Sequence, residues 1–594
     1  MEFTTRPDLL GTFGMVASTH YLASAVGMKL LEAGGRAADA AVGMGFVLNV
    51  VEPHLNGPLG EVPALVLSAG QDAPEVLCGQ GTAPAGATIA HYRGEGLEIV
   101  PGSGLLATVI PGAFDAWMVM LRDHGQLSLR AVLEPAIHYA SAGHPILARV
   151  CAEIAELAPV FETEWPTSAP VWLPGGSAPR PGSLFRNESL GAMLARILRE
   201  AETKSGREDQ IEAARDAFYR GFVAEAIDTY LRDACVIDAT GQRHKGVLTA
   251  DDMAGWQARF EPPLSVDHRG WQVYKPGFWS QGPAQLQALR ILEHDTLDAP
   301  LDESAVHLTV EALKRAFADR DTYYGDPDFF DVPAARLLSR EHAGAHRQAI
   351  GASASLALTP GVIEGHEALA DAFLANVAAR DVAPPGIGAG EPTMAHLTDA
   401  KRDTVHLDVI DRWGNAVSAT PSGGWLKSSP VVPGLGVPLN SRAQMFWLDE
   451  GLPTSLGPGR RPRTTLSPSL ARGPEGEILC YGTPGGDQQD QWQLALFLRR
   501  VHGQMSLQQA IDAPLFFTGH LQSSFYPRGI NLGHLMVEPN LGADAIHALR
   551  RRGHRVDVAQ PWSIGRLTAV ERGADTVLRG AATPRLMQAY AIGR

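Results

Sequence analysis

The chain has 594 residues, of which 45% are hydrophobic and 19% are charged, a composition typical of an ordinary globular protein rather than a disordered or fibrous one. Its 65 acidic residues outnumber the 50 basic ones and give a formal net charge of −15. A surface with this charge repels phosphate backbones, so we expect no nucleic-acid partner.

The four cysteines are widely spaced and form no CxxC pair, so the sequence predicts neither a structural zinc site nor a disulfide framework. The first residues lack the basic segment and apolar stretch of a signal peptide. The longest apolar run, residues 37–51, is shorter than the roughly 20 residues needed to span a bilayer. We therefore expect a cytoplasmic protein with no membrane partner. No HExxH motif occurs, and neither a metal nor a cofactor is indicated.

The predicted elements mix helices with strands. Residues 37–51 are small and apolar all round, which predicts a buried helix. Residues 62–78 are strand-like, and helical patterns then dominate to about residue 235. Residues 285–293 and 306–318 again have the period of helices. This mixture predicts a fold of the α/β (α+β) class.

A change in composition divides the chain near residue 400. Residues 379–403 are rich in proline and glycine with few large apolar groups, so we expect an exposed, mobile linker. Residues 404–411 then alternate apolar and polar, and the chain turns and resumes at Ala416, which predicts a β-hairpin. Further strands follow, and residues 491–502 predict a helix before a mixed tail.

The junction between the linker and the hairpin places Asp403 directly before Thr404. A threonine that becomes the first residue of a chain carries both a nucleophile and a base, because its hydroxyl attacks while its own α-amine takes the proton. An α-amine titrates near 7.7–8.0, so a useful fraction is neutral at physiological pH. Cleavage of the Asp403–Thr404 bond would expose that amine. The alternative is a threonine with a purely structural role at a strand start.

The run DTVHLDVIDRWGNAVSAT, from Asp403 to Thr420, resembles the DTTH…D..GNAVS.T signature of the γ-glutamyltranspeptidase family of N-terminal-nucleophile hydrolases. Other motifs resemble the family in the same order between about residues 14 and 590, among them PGRRP at 458–462 and GTPGG at 482–486. The resemblance implies a four-layer αββα sandwich with additional helices in the large subunit.

The resemblance also implies maturation by self-cleavage between Asp403 and Thr404. Residues 1–403 would form the large subunit and residues 404–594 the small catalytic one. The two would form a heterodimer, and a further pairing of heterodimers stays open. Thr404 would then attack the carbonyl of a small-molecule amide substrate, and water or an amine acceptor would resolve the acyl-enzyme.

Supporting roles follow from the positions that match the family. Thr420 and Ser422 stand where family residues hydrogen-bond the nucleophile. Gly485 and Gly486 correspond to a glycine pair whose N–H groups would form an oxyanion hole. Thr464 and Thr465 occupy the place of a serine pair that lines the acyl pocket, and both keep the hydroxyl.

The charged anchors of the family's glutamyl pocket are missing. Gln80 replaces an arginine that holds the substrate α-carboxylate, and Met445 replaces an acidic residue that receives the α-ammonium. Leaving either charge buried without its partner costs several kcal/mol. The nearby Arg442 is a candidate for holding a carboxylate from another direction. Asp487, beside the glycine pair, either contacts the substrate or caps a helix.

We therefore predict an amidase or acylase for an acyl group without the amino-acid head, such as an oxamate-type, glutaryl-type or other short dicarboxylic amide. A true γ-glutamyl transferase or glutathione hydrolase is the alternative. A second alternative is an unprocessed, non-catalytic member of the family that acts as a binding or scaffold protein.

Overall fold

The computed structural model describes residues 3–297, 299, 301–379, 404–585 and 588–594. The predicted linker 379–403 lies outside the described residues except for Ala379, and so does Asp403, the residue before the predicted cleavage point. Within the described ranges, no helix combines the length and the hydrophobicity needed to cross a membrane.

The helices of the described chain are distributed over its whole length. Their bounds are α1 (Tyr21–Glu32), α2 (Ala37–Val51), α3 (Ile89–Gly94), α4 (Ala113–His124), α5 (Leu129–Ser141), α6 (Ala148–Thr163), α7 (Ala169–Trp172), α8 (Glu188–Ala201), α9 (Arg207–Tyr219), α10 (Phe222–Asp233), α11 (Ala250–Ala254), α12 (Pro283–Ile291), α13 (Glu303–Tyr323), α14 (Ala334–Leu337), α15 (Arg340–Gln348), α16 (Glu367–Ala379), α17 (Gln489–Val501), α18 (Leu507–Asp512) and α19 (Ala543–Arg551).

The strands of the described chain occur in groups that are separated by helical segments. Their bounds are β1 (Leu9–Gly11), β2 (Gly14–Ser18), β3 (Val62–Leu67), β4 (Glu75–Gly79), β5 (His144–Pro145), β6 (Leu184–Phe185), β7 (Cys235–Ile237), β8 (Arg243–Lys245), β9 (Arg259–Glu261), β10 (Leu264–His268), β11 (Trp271–Lys275), β12 (Leu407–Asp411), β13 (Ala416–Ala419), β14 (Ser469–Arg472), β15 (Ile478–Gly482), β16 (Phe516–Thr518), β17 (His534–Val537), β18 (Arg555–Val558), β19 (Thr568–Arg572), β20 (Leu578–Ala582) and β21 (Tyr590–Gly593).

Two seven-stranded sheets form the centre of the molecule. Sheet I has the strand order β21-β2-β12-β13-β3-β4-β9, and sheet II has the order β1-β20-β19-β15-β14-β11-β10. All neighbouring strands in both sheets run antiparallel. Each sheet therefore combines strands from both sides of the predicted cleavage point.

The two sheets stack face to face, with β12 and β13 lying over β15. An apolar layer fills the space between them and includes Met15, Ile410, Leu470 and Cys480. Helices α1, α2 and α4 cover the outer face of sheet I, while α12 and α17 cover that of sheet II. This is the predicted αββα sandwich, and α5, α8 and α9 add the further helical layer expected in the large subunit.

The elements with the clearest sequence patterns occur where they were predicted. Residues 37–51 form α2, and all of its residues are buried. Its small residues allow close packing, since a Cβ at Gly45 would overlap the indole of Trp117. The predicted hairpin is β12 and β13. The helices predicted at 285–293, 306–318 and 491–502 correspond to α12, α13 and α17.

Candidate active site

Thr404 and Ser422 face each other at one end of sheet I. The β12–β13 pairing sets Leu407 opposite Ala419. The amide of Val405 continues this register by donating to the carbonyl of Pro421, which puts Thr404 opposite Ser422. Directly opposed residues of antiparallel strands point to the same face. The two side chains are buried, and Thr404 Oγ1 lies 3.2 Å from Ser422 Oγ.

The same row continues across the next two strands. Glu61 pairs with Ser422 through an isolated antiparallel bridge just before β3. The β3–β4 register, with Val62 opposite Gly79, sets Gln80 opposite Glu61. Thr404, Ser422, Glu61 and Gln80 therefore form one row across the edge of sheet I, although they come from two distant hairpins of the sequence.

The face of this row is the one turned toward sheet II. Side chains alternate along a strand, so Thr404 and His406 share a face. A Cβ at Gly482, the last residue of β15, would overlap the imidazole of His406. The start of β12 therefore lies against the end of β15. Thr404, which precedes β12, lies beside the loop that follows β15.

A buried polar network runs from this end into the space between the sheets. His406 Nδ1 lies 2.9 Å from Thr420 Oγ1, and His406 Nε2 lies 2.9 Å from Asp408 Oδ1. Thr568 of β19 donates to the other Asp408 oxygen at 2.9 Å. Sequence reasoning missed His406 and Asp408, whose signal is a pair of polar residues at alternate positions of an apolar strand.

Glu61 and Arg442 form a loose buried ion pair next to Ser422. Arg442 Nη2 lies 3.4 Å from Glu61 Oε2, and both side chains are buried. Burial raises the pKa of Glu61 to about 7, although the Arg442 guanidinium opposes the rise. The guanidinium also lies 3.8 Å from the Met445 sulfur and 5.3 Å from the Trp425 ring. Sequence reasoning missed Glu61, an acid isolated within an apolar and glycine-containing run.

The two positions at which the family has charged residues hold a polar side chain, Gln80, and an apolar one, Met445. Gln80 is buried, and its Nε2 donates to the carbonyl of Gly81 at 3.1 Å. Its Oε1 has no hydrogen-bond partner among the described residues. Met445 belongs to a small apolar cluster with Trp425 and Phe525. The structure thus places an amide acceptor and a thioether where the resemblance implies charged anchors.

The loop after β15 holds the glycine pair. Gly485 has φ of +136° and Gly486 has φ of +56°, conformations that favour glycine. A Cβ at Gly485 would also overlap the ring of Trp492. Neither amide N–H donates to another residue of the described chain, so both donors are available to an oxyanion.

The predicted acyl-pocket threonines lie at the same end of sheet II. Thr464 pairs with Ser280, and its carbonyl accepts from the amide of Gln281 at 2.9 Å. The Gln281 side chain donates to the carbonyl of Gly486 at 2.9 Å, which links Thr464 to the glycine pair. Thr465 is buried, and its hydroxyl has no partner within the described ranges.

Asp487 has a different environment from the residues above, because protein groups occupy both of its oxygens. Oδ1 accepts from Arg320 and from the Ser524 hydroxyl at 2.5 Å each, and Oδ2 accepts from the Ser524 amide at 2.9 Å. Burial alone would raise the pKa of Asp487, but Arg320 and Arg463 lower it. The carboxylate thus anchors the loop that carries the glycine pair.

Two groups of predicted residues therefore meet at one end of the stacked sheets. Thr404, Ser422 and Arg442 lie on the sheet I side, and Gly486 and Thr464 lie on the sheet II side. This end of the sheets therefore holds a buried threonine hydroxyl, a neighbouring serine hydroxyl and two backbone N–H groups that donate to no described residue. Acyl transfer requires groups of these types.

Comparison with known proteins identifies the family. The model of the gamma-glutamyltranspeptidase family matches residues 23–593. The chain belongs to the γ-glutamyltranspeptidase family. The membership inferred from the sequence motifs is thereby confirmed.

Several curated proteins match almost the whole chain. The glutathione hydrolase-like YwrD proenzyme of Bacillus subtilis is 32% identical and is aligned over 97% of this chain and 98% of its own length. The oxamate amidohydrolase proenzyme of Klebsiella pneumoniae is 30% identical over the same shares.

Solved structures show the same fold. A variant of LmbA2991 with one threonine-to-alanine substitution is 51% identical, with a TM-score of 0.91 over 100% of both chains. A cephalosporin acylase from Bacillus halodurans is 28% identical, with a TM-score of 0.81 over 100% of this chain and 98% of its own. The αββα architecture predicted from the family resemblance is therefore confirmed.

Proposed function

We propose that this member of the γ-glutamyltranspeptidase family is an amide hydrolase or acyltransferase with Thr404 as its N-terminal nucleophile. The observation that carries the proposal is the row at the edge of sheet I, in which the buried Thr404 hydroxyl lies 3.2 Å from Ser422 Oγ. The names of the Bacillus and Klebsiella relatives as proenzymes support maturation by cleavage.

Maturation would begin with attack of the Thr404 hydroxyl on the carbonyl carbon of Asp403. The C–N bond breaks, the hydroxyl proton passes to the nitrogen, and the acyl group is held as an ester on Oγ1. Water then hydrolyses the ester and leaves an Asp403 carboxylate and a free Thr404 α-amine. The products are a chain of residues 1–403 and a chain of residues 404–594, which stay associated because both contribute strands to each sheet.

Catalysis would reuse the same hydroxyl on a substrate amide. The α-amine of Thr404 takes the hydroxyl proton as Oγ1 attacks, and it returns the proton to the leaving amine. The developing oxyanion is stabilised by the N–H groups of Gly485 and Gly486, an interaction worth about 10²–10³ in rate for each donor. Ser422 orients the nucleophile directly, while the Thr420 hydroxyl is hydrogen-bonded to His406 and supports the strand pair that carries Thr404.

The acyl pocket would recognise a carboxylate rather than an amino-acid head. Arg442 is buried beside the nucleophile row, and its contact with Glu61 is long, at 3.4 Å. With its pKa near 7, Glu61 is largely neutral below that pH, so a substrate carboxylate can compete for the guanidinium. Gln80 Oε1 adds a neutral acceptor for a substrate N–H or O–H. Thr464 and Thr465 would line the opposite wall.

These features favour short dicarboxylic amides of the oxamate or glutaryl type. The Klebsiella relative, named as an oxamate amidohydrolase, supports this class. A γ-glutamyl substrate is the second candidate, because the Bacillus relative is named as glutathione hydrolase-like. That substrate would leave its α-ammonium beside Met445, which offers no charge.

Processing is tested by denaturing gel electrophoresis of freshly purified protein. Wild type is expected to give chains of 403 and 191 residues, and Thr404→Ala is expected to remain one chain without amidase activity. Thr404→Ser keeps a hydroxyl and should retain slow cleavage. Persistently uncut but folded wild type would favour the non-catalytic alternative.

The substrate class is tested by kcat/KM for oxamate-type and glutaryl amides beside γ-glutamyl-p-nitroanilide. We expect turnover of the dicarboxylic amides to be faster. The double variant Gln80→Arg, Met445→Asp should shift the ratio toward the glutamyl compound. Efficient turnover of the glutamyl compound alone by wild type would contradict the proposed pocket.

A further inference from the structure

A second cluster of reactive side chains lies away from the nucleophile, between α13 and α15. Asp319 belongs to α13, and His342 and His346 are four residues apart on α15. Such a spacing puts both imidazoles on one helix face. All three side chains are at most 4% exposed, and their nearest ligand atoms lie within 4.8 Å of one another.

More hydrogen-bond donors surround one carboxylate oxygen of Asp319 than that oxygen can accept from. His342 Nε2 lies 2.7 Å from Oδ2, His346 Nε2 lies 2.9 Å from it, and Gln287 Nε2 lies 2.8 Å from it. The amide of Gly361 occupies the other oxygen at 2.6 Å. A carboxylate oxygen offers about two lone-pair sites, so three nitrogen donors cannot all be satisfied on Oδ2.

We propose that Asp319, His342 and His346 form a binding site for one divalent transition-metal ion, with Zn²⁺ the best match. A metal removes the conflict, because each imidazole then presents a lone pair to the ion instead of a proton to Oδ2. Two imidazoles and one carboxylate are a common zinc donor set, with metal–ligand distances of about 2.0–2.2 Å.

The existing geometry needs little change to accept the ion. Tetrahedral ligands at those distances are about 3.3–3.5 Å apart, whereas the two nitrogen–oxygen separations are 2.7 and 2.9 Å. An opening of about half an ångström on each side therefore suffices. The fourth position would be held by water or by the second oxygen of Asp319.

The other histidine-containing cluster in the described chain makes an informative contrast. His307, Glu311 and His554 also converge, but Lys314 Nζ already donates to Glu311 Oε1 at 2.6 Å. A divalent cation there would face the lysine ammonium at close range, which is unfavourable. The groups that lie within hydrogen-bond distance of Asp319 in the described chain are uncharged amides and the two imidazoles.

The ion would have a structural role that reaches the catalytic loop. It would fasten α15 to α13 at Asp319, and the next residue, Arg320, holds Asp487 beside Gly486. Metal binding therefore stiffens the support of the glycine pair without contacting the substrate. The proposal does not depend on Thr404 being the nucleophile, so a metal readout separates the two.

The experiment uses the full-length protein after removal of metal with a chelator. Co²⁺ is titrated into it as a spectroscopic substitute for Zn²⁺, and bound zinc is counted by elemental analysis. We expect one metal ion per 594-residue chain, visible d–d absorption of a four-coordinate site, and a higher thermal midpoint with Zn²⁺ than with Mg²⁺.

Variants locate the site. His342→Ala and His346→Ala each remove a ligand, so each is expected to weaken Co²⁺ binding by at least the roughly 10–100-fold that loss of an outer-shell partner costs. His307→Ala serves as the buried-histidine control and is expected to bind as wild type does. Wild type that takes up no metal would overturn the proposal, and so would unchanged binding in the His342 and His346 variants. If those variants fail to fold, the stoichiometry, the spectrum and the midpoint shift of wild type decide the question.

Discussion

The ends of the two sheets meet at the candidate active site, but they hold their buried charges in different ways. On sheet I, Glu61 and Arg442 approach no closer than 3.4 Å. On sheet II, Lys275 is held by Asp490 at 2.9 Å, Ser467 Oγ at 2.8 Å and Gln493 at 2.7 Å. The Glu61–Arg442 contact is long, whereas Lys275 is enclosed by three short contacts.

This difference distinguishes a candidate ligand site, on sheet I, from a rigid supporting structure, on sheet II. Charges held by several short hydrogen bonds have no remaining capacity for a substrate, and they fix the backbone around them. A long contact between two charges is weaker than a short one, so another anion can compete for the guanidinium. We infer that sheet I provides the recognition and sheet II the rigid support, and variants of each end should separate binding from stability.

The largest effect on stability is expected for Lys275→Met. Burial lowers the pKa of Lys275 to about 8, although Asp490 opposes the change. The variant leaves Asp490 buried without its cation, so the free energy of unfolding should fall by about 3–5 kcal/mol. Denaturant unfolding measures the loss. The double variant Lys275→Met, Asp490→Leu should recover most of it, and a single variant as stable as wild type would contradict the role of this pair.

Arg442→Met should instead act on substrate binding. Truncating one partner of a buried charge interaction costs about 2–5 kcal/mol. The free energy of transition-state stabilisation, obtained from kcat/KM for a dicarboxylic amide, should fall by that amount. For an acyl amide without a carboxylate, kcat/KM should fall much less. Arg130→Met, which removes an arginine from an exposed ion pair with Glu202, is the control. Equal losses for both substrates would contradict recognition by Arg442.

Gly485→Ala tests the backbone of the loop that carries the proposed oxyanion donors. The new Cβ would overlap Trp492 and sit at a φ of +136°. Displacement of the adjacent amides should lower kcat by about 10²–10³. Gly476→Ala is a matched control, because that residue has a φ of +90° in the β14–β15 turn with open space around it. Similar losses of kcat in both variants would indicate a general effect of backbone strain.

The sequence predicted those parts of the molecule whose structure depends on patterns within a short stretch of residues. The helix at 37–51 and the hairpin after Thr404 have strong periodicity, and their neighbours in the fold did not alter them. The family motifs also predicted the αββα architecture. The contact between Thr404 and Ser422 follows from the register of one hairpin.

The rest depends on pairings between distant segments. Glu61 lies beside Ser422 because β3 pairs with β13, and Gln80 lies beside Glu61 because β4 pairs with β3. No local pattern records such a row. His342 and His346 have helical spacing, but Asp319 completes their cluster only through the packing of α13 on α15. A search for short metal motifs could not find it.

The smallest effect concerns the pH dependence of the loose pair on sheet I. The pKa of Glu61 rises from an ordinary value of 4.5 to about 7, chiefly through burial. The folded protein therefore binds a proton that the unfolded chain releases between these values, and stability is lost as the pH rises from about 4.5 to 7. Glu61→Gln cannot titrate, so its stability should lack this component.

The stability of wild type relative to Glu61→Gln should therefore decrease between about pH 4.5 and 7, by at most about 3 kcal/mol, and stay constant above that range. Thermal midpoints at closely spaced pH values measure the difference. Glu134→Gln, at a side chain that is 64% exposed, should show no such change relative to wild type. A difference between wild type and Glu61→Gln that is independent of pH would mean that Glu61 is ionised throughout. Arg442 would then be held by a permanent counter-ion, and the contrast between a loose recognition pair and a rigid supporting structure would not hold.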